Sequence, residues 1–297
     1  MDDDAFWDTQ AHSLAVFATP EGLRTFRLPN RLQPIVEVSD RFHIKPLLRA
    51  ITVPQSAFVL ALSQNGVRLV QVSADAAAAP VKVDGLPRDA ATAAGKASLN
   101  DRSPSGRIQG SEGKNVRLIQ YARKVDHALR PLLTGRDTPL ILAATEPLRS
   151  IYASVNSYPH LASAAIHANP DEVSDADLAT QARTVLDGLF QEELAAIVAL
   201  FEARSGQGRT TTDVATAARA ATQGAVSKLL VDIDEVVPGT IDDDGVVTFA
   251  KTADAVNYGV VDEIAARALL TGARVLAVRK GDIPGGGSLA AVMRYAF

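Results

Sequence analysis

Gly106-Arg107-Ile108-Gln109-Gly110 and Gly113-Lys114 place three glycines, two cations and one carboxamide on one short stretch. Glycine lets backbone approach a ligand more closely than any side chain allows, and Arg107, Lys114 and Arg117 can meet phosphates as a helix N-terminus does. The chemistry on offer is anion binding, with Gln109 as an amide that can orient water. The other constellations offer less. Of five histidines (His12, His43, His127, His160 and His167), only His160 and His167 are neighbours in sequence. Their spacing of seven could share a helix face, but Pro159 and Pro170 bound the segment and no carboxylate stands at ligand spacing, so no metal site is expected. The absence of cysteine excludes disulfides, thiolate nucleophiles and Cys-based metal sites. No G-x-S-x-G elbow announces a serine hydrolase. Asp232, Asp234 and Glu235 could hold a hard cation at a strand end, yet solvated carboxylates entering a turn are the simpler reading. Asp242-Asp243-Asp244-Gly245 has turn chemistry. Gly285-Gly286-Gly287-Ser288 lacks the Lys-Ser or Lys-Thr of a phosphate cradle and is read as a loop. No cofactor is implied.

The glycine-rich stretch lies where the charge balance inverts. Between Arg88 and Asp137 stand ten Lys and Arg against five Asp and Glu, a surplus of five positives in a chain of formal charge −4. From residue 138 onward, 20 Asp and Glu face 12 Lys and Arg. A flexible loop followed by a positive helix suits a polyanion, with Lys96, Arg102, Gly106, Arg107, Gly110, Gly113, Lys114, Arg117, Arg123 and Lys124 as the contacting set. A surface insertion beside a solvated helix is the plainer alternative.

The elements that must position this stretch follow from periodicity. A chain of 297 residues with 47% apolar and 22% charged residues suits two or three globular domains. Ser13 to Thr19, Leu23 to Leu28 and Ile35 to Val38 read as a small meander. Ala57 to Leu62 and Val67 to Val72 flank Asn65-Gly66, the strongest short hairpin signal, and Pro80 to Val83 follows as a third strand. The loop 93–114 leads into a helix over 115–133, where Pro131 and Gly135 end it. Thr138 to Ala143 is a strand, and a helix starts near Glu146-Pro147. Asp171 to Arg204 is helical, with Ser174 as cap. Beyond it the spacing predicts a helix over Thr212 to Gln223 and a strand over Lys228 to Ile233. A hairpin across Asp242 to Gly245, a helix over Tyr258 to Leu270, and strands at Arg274 to Val278 and Leu289 to Phe297 complete the chain. The N-terminus, MDDDAFWDTQ, lacks a basic n-region and apolar h-region, and no run is apolar enough to span a membrane. A cytoplasmic protein with no membrane partner is expected.

The order of pieces resembles a known family. FHIKPLLRAI (42–51), AFVLALSQNGVRLVQV (57–72), DGLP (84–87), GKNVRLIQYARKVDHALRPLL (113–133), PLILAATEPLRSIY (139–152) and NYGVVDEIAARALLTGARVLAVRKGDIP (257–284) carry the resemblance. Together they resemble the middle and C-terminal domains of archaeo-eukaryotic class-1 peptide release factors and Pelota, and the whole chain is similar to the bacterial archaeo-eukaryotic release factor families. The resemblance implies an α/β fold: an RNase H-like mixed-sheet domain at 55–160, then at 161–297 an α/β sandwich resembling the ribosomal kink-turn-binding fold. Residues 1–54 remain as a reduced N-terminal β segment. It also implies the ribosome, through rRNA or tRNA, as partner, and a protein partner at the C-terminal domain.

In release factors the loop before the basic helix carries a Gly-Gly-Gln tripeptide that places water at the peptidyl-tRNA ester. Here Ile108 precedes Gln109 and the glycine pair is missing. The leading expectation is a ribosome-associated factor for hibernation, rescue or protection, binding near the tRNA sites without efficient peptide release. The alternatives are a hydrolase of peptidyl-tRNA or a related ester, with Gln109 as its catalytic residue, and a protein-binding scaffold built on the acidic C-terminal domain.

Overall fold

The computed structural model of the chain describes residues 13–28, 55–73, 77–95, 111–252 and 259–297, together with 34, 36, 38, 42, 44, 47, 48, 52 and 257. Two compact units are present: Pro54–Leu189, and Met1–Val53 with Phe190–Phe297.

The sheet of the Pro54–Leu189 unit is built on strands whose side chains are apolar almost throughout. Strand β3 (Ser56–Leu62) and β4 (Val67–Ser73) form the hairpin expected at Asn65-Gly66, β5 (Ala79–Val81) pairs with β4, and β6 (Leu140–Ala143) runs parallel to β3. The order is β5-β4-β3-β6. Successive side chains of a strand point to opposite faces, so an uninterrupted apolar run must be covered on both. Phe58, Leu60, Leu62, Leu140 and Leu142 meet Leu118, Tyr121, Val125, Leu129 and Tyr152 from helices α2 (Ser111–Leu133) and α3 (Leu148–Val155). Ala57, Val59, Ala61, Ile141 and Ala143 meet Ile166, Leu178, Ala179, Ala182 and Leu186. Helix α1 (Ala90–Ala93), not expected from the sequence, is capped by Asp89 and buries Ala90 and Ala93.

The compact unit runs on to Leu189, past the boundary expected at residue 160. Residues 161–189 bury the second face of the sheet, through parallel bridges Leu140↔Leu161 and Ala143↔Ile166 and the start of helix α4 (Asp175–Arg204). A unit ending at 160 would leave Val59 and Ile141, both fully buried, facing water. The start of α4 is capped as expected: Ser174 Oγ accepts from Asp177 N and donates to its carboxylate. Arg68 on β4 fastens the approach to α4, donating to Asp175 Oδ1 at 2.9 Å and to the carbonyls of Pro170 and Val173.

The Phe190–Phe297 portion repeats the principle with other strands. Its sheet has the order β11-β8-β12-β7, where β8 is Val226–Asp232, β11 is Arg274–Val278, β12 is Leu289–Met293 and β7 is Thr210–Thr211. Strands β8 and β11 are parallel, and β12 is antiparallel to β8. Helices α5 (Val214–Thr222) and α6 (Val260–Leu270) cover one face through Ala217, Ala221, Ile264 and Ala268. Leu194 and Ile197 cover the other, against Leu230, Leu276 and Ala290. The short β9 (Gly239–Ile241) and β10 (Val247–Phe249) form the hairpin expected across the acidic turn. Asp242 Oδ1 accepts from the N–H groups of Asp244 and Val246, and Gly245 takes φ +83° with Arg219 Cα 2.8 Å from where a Cβ would stand. Only glycine fits that turn. In the same unit β1 (Ser13–Thr19) and β2 (Gly22–Leu28) pair antiparallel as expected. The third strand expected at Ile35 to Val38 lies largely outside the described residues.

Two outcomes follow. Ala182→Asp sets a carboxylate against the second face of β3 and is expected to cost several kcal/mol in urea unfolding, since a buried charge without a partner is costly; an unchanged midpoint would favour a unit that ends at 160. Glu193 is held below the usual carboxylate range chiefly by hydrogen bonds from Arg274, at 2.7 and 2.8 Å. A lowered folded-state value means that the pair stabilises fully above the ordinary 4.5 and loses its contribution as pH falls below it. Arg274→Gln should therefore be less stable at neutral pH by about 0.5 kcal/mol, as suits a half-exposed pair. The difference should close in acid, as read from unfolding midpoints across pH.

Candidate nucleic-acid interface

Helix α2 is organised by the side it buries. Leu118, Tyr121, Ala122, Val125, Leu129 and Leu133 recur at helical spacing and are buried against the sheet. Burial pushes the ionisation of the Tyr121 hydroxyl far up, so it stays protonated, and among the described residues its oxygen has no hydrogen-bond partner. The apolar stripe sets the rotation of the helix and so decides what faces outward.

What faces outward is basic. Lys114, Gln120, Arg123, Lys124, His127 and Arg130 are exposed, and Arg117 is half-buried. From Gly113 to Arg136 the chain has one acid, Asp126, and it is 3% exposed. Asp126 Oδ1 accepts from Ser157 N at 2.8 Å, and Oδ2 from Arg130 Nη2 at 2.8 Å and Nε at 3.1 Å. The outer face of α2 thus shows charge of a single sign, over about four and a half turns from Lys114 to Arg130. A field of one sign on a rigid helix attracts a polyanion.

The predicted site residues divide three ways. Lys96, Arg102, Gly106, Arg107, Gln109 and Gly110 lie outside the described residues. Gly113 is buried inside the helix, which begins at Ser111 rather than 115. Lys114, Arg117, Arg123 and Lys124 share the helix, but Lys124 is also committed within the fold: its Nζ donates to Ala93 O at 2.7 Å and so satisfies a carbonyl at the end of α1. His127 and Arg130 were not in the predicted set. They follow Arg123 at spacings of four and seven on the same outward line, a signal that was legible in the sequence.

The weaker constellations resolve as structure. Among the described residues no group of three or more His, Cys, Asp or Glu could hold a metal. His160 meets Tyr158 edge to face, and His167 Nδ1 lies 3.0 Å from Arg149 Nη1, a cation. Asp232 departs from the solvated reading, because it is 2% exposed with Oδ1 accepting from Asp234 N. Glu235 pairs with Lys280 at 2.9 Å, and that hydrogen bond raises the lysine's ionisation. Among the described residues no helix is long and apolar enough to cross a membrane.

Residues 54–192 match the model of bacterial archaeo-eukaryotic release factor family 11, nearly the same stretch as the compact unit Pro54–Leu189. No curated protein matches the chain in sequence. Among solved structures it is similar to S. cerevisiae Dom34, a translation termination-like factor involved in RNA quality control pathways and interacting with Hbs1. That match has 11% identity and a TM-score of 0.50, over 96% of this chain and 80% of that one. Archaeoglobus fulgidus Pelota matches at 14% identity and TM-score 0.36, over 85% and 68%. An archaeal translation termination factor, aRF1, matches at 15% and 0.24, over 95% and 75%. The mixed α/β fold with several sheets is shared with Dom34, and residues 54–192 are similar to bacterial archaeo-eukaryotic release factor family 11.

Proposed function

We propose that the protein is a ribosome-associated translation factor that binds near the tRNA sites through the outer face of α2 and the 93–114 segment. Its work is hibernation, rescue or protection in the cytoplasm, without efficient peptide release. The observation that carries this reading is the single-signed face of α2 within a chain of charge −4. The release factor family match over 54–192 supports it, as does Ile108 standing before Gln109 where a release factor has Gly-Gly-Gln. On this reading Pro54–Leu189 serves as the RNase H-like middle domain.

Sedimentation with purified 70S ribosomes across a salt series tests the reading. The wild-type protein should co-migrate at low salt and dissociate as salt rises. Lys114→Glu with Arg123→Glu should flatten the slope of log K against log salt by roughly two. Co-migration that ignores salt, or is unchanged in the double variant, would remove the basis of the proposal.

A protein partner at the Phe190–Phe297 portion is a second element of the proposal. Phe249 is 56% and Val246 51% exposed, beside the acidic turn of the β9–β10 hairpin. Phe249→Glu in the full chain should lower capture of that partner while ribosome co-sedimentation stays intact; unaltered capture would discard this surface.

A further inference from the structure

Arg130 differs from the other cations of α2 in how it is held. Its Nε donates to Asp126 Oδ2 and to Ser157 Oγ, each at 3.1 Å, and its Nη2 donates to Asp126 Oδ2 at 2.8 Å. The Ser157 hydroxyl, fixed in turn at 3.0 Å from Asp126, completes a closed ring of three side chains. The Asp126 side chain is 4% exposed, whereas that of Arg130 is 54% exposed. A buried carboxylate therefore grips one edge of the guanidinium and leaves the other edge in solvent. Nη1 has no hydrogen-bond partner among the described residues, so both of its N–H groups and one on Nη2 remain for a ligand.

Neutralising Asp126 needs only a positive charge. Orienting a planar fork outward is more than that requirement, and a pre-oriented fork is what bidentate capture of a phosphate uses, because little side-chain entropy is then lost on binding. Arg130 also stands two helical turns from Arg123, on the same outward line, with His127 between them. No exposed acid lies on that line.

We infer that Arg130 is a phosphate-binding residue for an RNA backbone, with Asp126 and Ser157 as the residues that position it. The inference rests on the polyanion-binding reading of α2 and adds to it the residue that fixes how the backbone registers on the helix.

The experiment is fluorescence anisotropy of the full-length protein with a labelled RNA hairpin over a salt series, each variant first being checked by thermal melting. Arg130→Gln should weaken binding about tenfold, the scale of one charge-assisted contact, and lower the salt slope by about one. Arg130→Lys keeps the charge but loses the fork, so it should also bind more weakly while its slope stays near wild type. Ser157→Ala removes one support of the guanidinium; affinity should fall about threefold with the slope unchanged, which a loss of charge could not produce. Wild-type affinity in Arg130→Lys would mean that Arg130 acts only as a charge, and would overturn the inference while leaving the basic face standing. Wild-type affinity in Arg130→Gln would overturn it as well. Should Arg130→Gln fail to fold, Arg130→Lys and Ser157→Ala decide the matter by the same criteria. If the wild-type protein does not bind the hairpin at any salt, the reading of α2 itself falls, and the inference with it.

Discussion

Strands β3 and β6 are apolar at almost every position, and a strand of that kind can exist only where both its faces are kept from water. The rest of the Pro54–Leu189 unit follows from that requirement. One face takes α2 and α3, and the other takes residues 161–189 with the start of α4. Neither layer is optional. Val59, Leu60 and Ile141 are fully buried, and uncovering any of them would forfeit on the order of 2 kcal/mol per side chain.

The same burial sets the functional surface. The inward stripe of α2 admits one rotation of the helix, and the remaining side carries Lys114, Arg123, His127 and Arg130. Asp126 would interrupt that field if it faced outward. It is turned in beneath Arg130 and bonded by Ser157, so it acts as a support for a cation and leaves the face with charge of one sign. Core packing and electrostatics are thus one arrangement: the apolar stripe places the helix, and the one acid between Gly113 and Arg136 is used to hold an arginine.

The family match and the compact unit coincide almost residue for residue, at 54–192 and Pro54–Leu189. The agreement has a physical basis, because a sequence pattern is retained over the residues that must pack together, and the second layer up to Leu189 is part of that packing. The Phe190–Phe297 portion satisfies the same two-faced rule with different strands and a different order, β11-β8-β12-β7.

Local rules were enough for the elements themselves. Asn65-Gly66 announced the β3–β4 hairpin, Pro131 and Gly135 the end of α2, Ser174 the cap of α4, and Asp242 to Gly245 the turn of β9–β10; in each the signal is carried by residues a few positions apart. The inverted charge between Arg88 and Asp137 was equally plain, and so was the outward line of Arg123, His127 and Arg130, although only the first of these was read. Tertiary structure decided what depends on distant partners. The start of α2 at Ser111 buried Gly113, the carbonyl of Ala93 claimed Lys124, and the second face of β3 carried the unit past residue 160 to Leu189. Asp232 reads as a solvated acid in the sequence, yet it is buried, as Asp126 is, because whether a carboxylate meets water or a donor is set by what folds over it and not by its neighbours in the chain.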